Sequence, residues 1–178
     1  MVMRYLATDT LLCWASDAGI HGKLKNNAGE TLREVQTRIA QPIIAYLTTH
    51  VWPGLEIRPV LAADSILPAP QPAMTREVIR GWISGLPAWE LAGLERAVLA
   101  TKSLLVAVRL LVEWSQEFAS LRGKQEQDSG FGIEAAAEAC TTEVRWQTDM
   151  WGEVEDTHDV DREDVRRQLG SVVLLVNG

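Results

Sequence analysis

The sequence predicts an all-α protein: a helical bundle of five or six helices with one long central helix and a proline-rich crossover loop. Three observations carry this expectation. Apolar residues recur at spacings of three and four over most of the 178 residues, with little sustained alternation at period two. Helix-start chemistry stands where those stripes begin, as at Thr31 with Glu34, at Pro87 and at Asp161. The composition, 47% apolar and 23% charged, is that of an ordinary globular chain long enough to bury a core without disulfide or metal staples.

Residues 1–178 read as one α-helical domain. A first helix is expected from about Met3 to Asp17, with Met3, Leu6, Leu11 and Trp14 on one stripe and Gly19 ending it. Two glycines and Asn26-Asn27 make the next segment a loop. Thr31 and Glu34 form a capping box, so a helix starts at Leu32 and presents Leu32, Val35, Ile39, Ile43 and Tyr46. Pro42 has no N–H for the Arg38 carbonyl, so that helix must kink or restart there.

Residues 52–72 hold five of the seven prolines and read as a surface crossover or linker, a recognition segment for a partner's groove, or a short strand around Leu55 to Leu61. A short helix follows from Thr75 to Gly85, then a long one from Pro87 to about Arg122. The latter is apolar over most of its circumference, its polar line of Glu95, Lys102, Arg109, Glu113 and Gln116 being narrow, which makes it the central helix or half of an oligomeric interface. At 1.5 Å per residue it would span roughly 50 Å, long enough to favour association. Another helix is expected from Phe131 to Glu155, with Ile133, Ala137, Cys140, Val144 and Trp151 on one face. Asp161 then caps a last helix, with a strand over residues 171–176 as the alternative.

Charge is segregated. The net formal charge of −7 divides into −10 on residues 128–164, from twelve acids and two bases, and +3 on the rest, from fifteen bases and twelve acids. The densest part holds Glu153, Glu155, Asp156, Asp159, Asp161, Glu163 and Asp164 around His158. Seven tryptophans stand against two Tyr and two Phe. Trp14, Trp82 and Trp114 fall on apolar stripes; Trp52 and Trp89 flank proline breaks; Trp146 and Trp151 border the acids. A large indole beside uncompensated acid is what a docking surface for a basic protein needs, so Trp146, Met150, Trp151, Glu153, Glu155, Asp156, Asp159 and Asp161 are the candidate protein-binding residues.

No catalytic constellation survives inspection. There is no nucleophile elbow, phosphate-binding glycine loop or dinucleotide turn. Glu155 and His158 have the spacing of half a di-iron site, but neither His21 nor His50 supplies the second half. Residues 159–170 fail as a calcium loop, with Asp164 where glycine is required and Gly170 where a bidentate Glu is required. His158-Asp159 matches a metal-dependent hydrolase at two residues only. No metal or cofactor is expected.

The sequence therefore predicts a non-enzymatic protein-interaction component: a regulator, an adaptor or a subunit of a larger assembly. The alternatives are a small helical subunit or inhibitor of a nucleoprotein effector complex, and the His158/Asp159 hydrolase. A protein partner is expected, with a homo-oligomer possible and nucleic acid reached only through a partner or through the small clusters His21-Lys23-Lys25 and Arg166-Arg167. No signal peptide or membrane-spanning run is legible, and Cys13 and Cys140, far apart and unpaired in pattern, read as reduced thiols. These features predict a cytoplasmic protein.

Overall fold

The computed structural model describes residues 1–18, 21–61, 70–122, 130–152 and 158–178, and not the side chains of His21, His158 and Asp159. Helix dominates, as expected. Seven α-helices lie among the described residues: α1 (Leu32–Tyr46), α2 (Ala73–Ser84), α3 (Ala88–Thr101), α4 (Leu104–Trp114), α5 (Ile133–Cys140), α6 (Thr142–Trp151) and α7 (His158–Asn177).

The N-terminal segment corrects the first expected helix. Val2–Ala7 is a 3-10 helix, and the chain then turns into a short strand, β1 (Cys13–Trp14), lying parallel to β2 (Val60–Leu61) in the crossover. Asp9 is the reason. Its carboxylate accepts the Leu11 N–H at 3.0 Å and its carbonyl accepts those of Leu12 and Cys13, a local turn that competes with helix propagation. Gln36 of α1 then holds β1, accepting from the Ala15 N–H at 2.8 Å and donating to the Cys13 carbonyl at 3.1 Å.

The capping box forms as the sequence requires: the Thr31 hydroxyl accepts from the Glu34 N–H and the Glu34 carboxylate from the Thr31 N–H. Pro42 sits inside α1, which does not restart there but runs through it into a π-helical turn, Leu47–Val51. The described parts of the crossover are tied into the fold. Trp52 is buried edge-on against Trp82, which stacks on Phe118, and Val60 is buried in β2. Gln71 clamps its two ends, bonding both the N–H and the carbonyl of Arg58. Residues 62–69 lie outside the described residues.

The long helix expected over Pro87 to Arg122 is three pieces. Lys102 adopts φ 56° and ends α3, and the Ser103 hydroxyl, accepting from the Val106 N–H at 3.0 Å, caps α4. The Asp9 carboxylate adds bonds from the Leu104 and Leu105 N–H groups at 2.8 and 3.0 Å, satisfying the start of α4 from across the molecule. A second hydroxyl, Ser115, starts a 3-10 helix, Gln116–Leu121. The central element is thus α4 alone, buried at every residue from Leu104 to Val112. At eleven residues it is about 16 Å long, which removes the length argument for self-association.

Around α4 pack α3, α7, α5, α1 and the N-terminal 3-10 helix. α3 and α7 cross closely: a Cβ on Gly93 would stand 2.6 Å from the Val176 side chain, so only glycine lets these helices approach this way. α7 settles residues 171–176 as helix, because Leu169, Val172 and Val176 enter the core at helical spacing. The chain breaks again between α5 and α6, where the Thr141 and Thr142 hydroxyls turn back to the Ala137 and Glu138 carbonyls. No helix among the described residues is long and apolar enough to cross a membrane.

Candidate docking ridge on helix α6

The break at Thr141 rotates the face that α6 turns to the core. Had one helix run from Phe131 onward, Val144 and Trp151 would share the buried stripe of Ala137 and Cys140. In the fold α6 buries only Thr142 and Trp146. Trp146 is 4% exposed, packs toward the start of α1 and donates its indole N–H to the Glu30 carbonyl at 3.5 Å. Trp151 is 62% exposed and leans edge-on against Trp146 with ring centroids 5.9 Å apart. Thr148 and Met150 are half-buried and the other six residues of α6 are exposed, so this helix is a ridge.

Clefts flank the ridge. One of about 360 Å³ runs between Trp146 and Trp151 and the segment carrying Ala15, Ser16 and Gly22, with Arg33 at its wall. Arg33 donates to the Ala15 carbonyl at 2.9 Å, pairs with Asp17 at 3.5 Å and lies over the Trp14 ring. On the opposite side a charged cleft of about 420 Å³ is lined by Glu134, Glu138, Arg145, Asp149 and Arg166. There the cations are matched: Arg145 to Glu138 at 2.9 Å, and Arg166 to Glu134 at 2.8 Å and Glu163 at 2.6 Å. Arg167 pairs with Asp164, which with Gln168 holds that carboxyl below the ordinary carboxylate range. The Arg166-Arg167 cluster is therefore neutralised by its own helix and its neighbour.

Of the candidate binding residues, the fold brings Trp146, Met150 and Trp151 together, with Trp146 supporting Trp151 from below rather than facing solvent. Asp161 is exposed on the first turns of α7. Asp159 lies in the same helix, its side chain outside the described set, and Glu153, Glu155 and Asp156 lie outside the described residues altogether. Arg33 was not legible as a site residue, since it sits on an ordinary helix and meets the tryptophans only through the tertiary fold. Among the described residues no group of three or more His, Cys, Asp and Glu is placed to hold a metal ion, and the His158-Asp159 pairing lies outside them.

Both cysteines are free thiols. Burial pushes the Cys140 thiol up to about 12 and raises that of Cys13 as well, aided by the Asp9 charge. Native protein at pH 8 is expected to react with a thiol reagent at Cys140 at least about tenfold more slowly than urea-unfolded protein, read by mass spectrometry of the labelled peptide. Equal rates would show that the α5 end opens readily.

Comparison with known proteins first defines a class. The fold is that of Atp12-type proteins. It superposes on the D202K mutant of Paracoccus denitrificans Atp12p with a TM-score of 0.69, at 18% identity, covering 98% of this chain and 61% of that one. Atp12 from Paracoccus denitrificans gives 0.66, at 20% identity over 99% of this chain and 63% of its own. The Atu1473 protein of Agrobacterium tumefaciens, a candidate chaperone, gives 0.65, at 20% identity over 99% and 53%.

In sequence the chain is similar to particular proteins: ATP12 of Saccharomyces cerevisiae mitochondria, 31% identical over 175 residues, and atp12 of Schizosaccharomyces pombe mitochondria, 28% identical over 174. These alignments cover 97% and 98% of this chain and 51% of each relative, so the chain spans about half the length of the curated relatives it matches. No family model matches it. The Atp12 relatives are assembly chaperones, not enzymes. They also correct the cytoplasmic expectation, because both curated relatives are mitochondrial. Absence of a legible targeting run could not have decided this.

Proposed function

We propose that this chain is the client-holding part of an Atp12-type assembly chaperone, acting without catalysis in mitochondria on a subunit of the F1 sector of ATP synthase, the α subunit. Residues 1–178 act in it as one unit. The observation that carries the reading is the α6 ridge: a helix with six of its ten residues exposed, an exposed Trp151 braced on a buried Trp146, and clefts along its sides. A rigid aromatic anchor beside a cleft supplies contact area at low entropic cost, which suits a surface that must hold an unassembled protein. The exposed acids Glu143 and Asp149 of α6 and Asp161 of α7 add negative charge to that surface and suit a client whose facing surface is basic.

The test is binding of purified F1 α subunit, with the F1 β subunit as control, to the chain and to its Trp151→Ala variant. Trp151 is exposed, so the variant is expected to keep its helical circular dichroism while losing affinity for the α subunit by at least about tenfold, the effect of removing one aromatic hot spot. Failure of the wild-type chain to bind either subunit would sink the reading, and unchanged affinity in the variant would move the contact off α6.

A further inference from the structure

Beyond Trp14 the chain leaves its two-residue ladder, and residues 15–18 lie outside any strand or helix. They nevertheless form the wall of the 360 Å³ cleft that faces Trp146 and Trp151. Their position is set from α1. The Ala15 N–H donates to the Gln36 side chain at 2.8 Å, and the Ala15 carbonyl accepts from Arg33 at 2.9 Å. Arg33 and Gln36 stand three positions apart on one face of α1, so one turn of helix holds both backbone groups of a loop residue.

Arg33 holds the wall at more than one point. Its guanidinium also pairs with Asp17 at 3.5 Å and lies 5.7 Å from the centroid of the Trp14 ring. The far end of the wall is closed by Gly22: a Cβ there would stand 2.6 Å from the carbonyl carbon and oxygen of Asp17, backbone atoms that cannot swing aside as a side-chain tip can. None of this is needed to form α1. That helix starts on its own capping box and buries Val35, Gln36, Ala40 and Ile43, with Arg33 outside this set. The contacts of Arg33 therefore serve the segment it grips.

We propose that Arg33 is a positioning residue of the client site: it fixes residues 14–17 as the wall opposite Trp146 and Trp151, so that the F1 α subunit meets the Trp151 anchor and a preformed wall together. The gain is preorganisation, since a wall already in place spares the entropy of ordering it when the client arrives. This deepens the chaperone reading and rests on it for the identity of the client.

The experiment measures binding of purified F1 α subunit to the whole chain carrying Arg33→Ala, Arg33→Lys or Gly22→Ala, each with and without Trp151→Ala. Arg33→Ala and Gly22→Ala disturb the wall from its two ends and are each expected to weaken binding about fivefold with helical circular dichroism retained. Arg33→Lys, which keeps the charge and loses the planar fork, is expected to cost about twofold. In the Trp151→Ala background Arg33→Ala is expected to cost less than about twofold, because the wall acts through the anchor it faces. A merely structural Arg33 would cost the same factor in both backgrounds, and that result overturns the proposal. Should Arg33→Ala lose its helical signal, Gly22→Ala runs the same cycle. Without any client, the Ala15 amide is expected to exchange with deuterium at least about fivefold faster in Arg33→Ala than in the wild type, and unchanged exchange also overturns the proposal. A wild-type chain that binds no α subunit removes the chaperone reading and the client role of Arg33 with it, whereas wild-type binding that Arg33→Ala leaves intact removes Arg33 alone.

Discussion

Arg109→Ala is expected to cost about 3–5 kcal/mol of stability, a large part of what a domain of this size possesses. Arg109 is 7% exposed in the middle of α4 and pairs with Glu113 at 2.5 Å. Its guanidinium lies 3.7 Å from the centroid of the Tyr46 ring on α1 and 5.0 Å from that of Phe131, just before α5. One planar cation thus joins three parts of the core, by ion pairing along its own helix and by cation–π contact on both sides. Truncation leaves Glu113 in a largely buried site without its partner and opens a cavity beside two rings. Arg109→Lys is expected to recover only part of the loss, because a compact ammonium cannot lie flat between aromatic faces. The double variant Arg109→Met with Glu113→Leu is expected to recover most of it, since a buried pair replaced by apolar groups of similar size is often neutral. Urea unfolding of the set checks this, and a cost below about 1 kcal/mol for Arg109→Ala would show that the stack contributes no cohesion.

Asp9→Ala is expected to cost about 3 kcal/mol, because it strands the Leu11, Leu104 and Leu105 N–H groups in a buried site at the start of α4. The same residue makes stability pH-dependent. Burial raises the Asp9 carboxyl from 3.8 to about 6, against the lowering effect of its hydrogen bonds to Ser103 and the backbone. A carboxyl raised in the folded state binds its proton more tightly there than in the unfolded chain. Its contribution is therefore fully present below pH about 4 and is lost as pH rises through about 6. The carboxylates of Glu30, Glu34, Glu56 and Asp164 are shifted downward and act in the opposite sense. The informative quantity is consequently the difference between wild type and Asp9→Asn. Between pH 7 and pH 5 the wild type is expected to gain stability relative to the Asn variant, and a flat difference in denaturant midpoints would show that Asp9 is already protonated or is solvated.

Much of the local structure was readable because local chemistry decides it. Thr31 and Glu34 satisfy orphan N–H groups within one helical turn, so the start of α1 depends on nothing distant. The stripe of Leu169, Val172 and Val176 kept its helical spacing and outweighed the β preference of valine. The breaks were harder to see. Lys102 and Thr141 carry no proline or glycine, and each break depends on hydroxyls and, at α4, on a carboxylate from far along the chain. The Asp9 cap spans 95 residues of sequence, a separation that no periodicity analysis can register. The same limit explains Arg109, which reads as part of a polar helix line and is in fact sandwiched between rings.

For the candidate site the division is similar. The sequence by itself determined the helical class, the segregation of acid onto residues 128–164, the placing of Trp146 and Trp151 beside it, and the absence of a legible catalytic motif. These are properties of composition and of short-range spacing, which folding cannot alter. Tertiary structure alone decided that Trp146 turns inward while Trp151 and Val144 turn outward, and that Arg33 meets the two tryptophans around one cleft. A single helix break rotates every following side chain about the axis, so which residues face solvent is fixed by where the chain stops being helical and by what packs against it there.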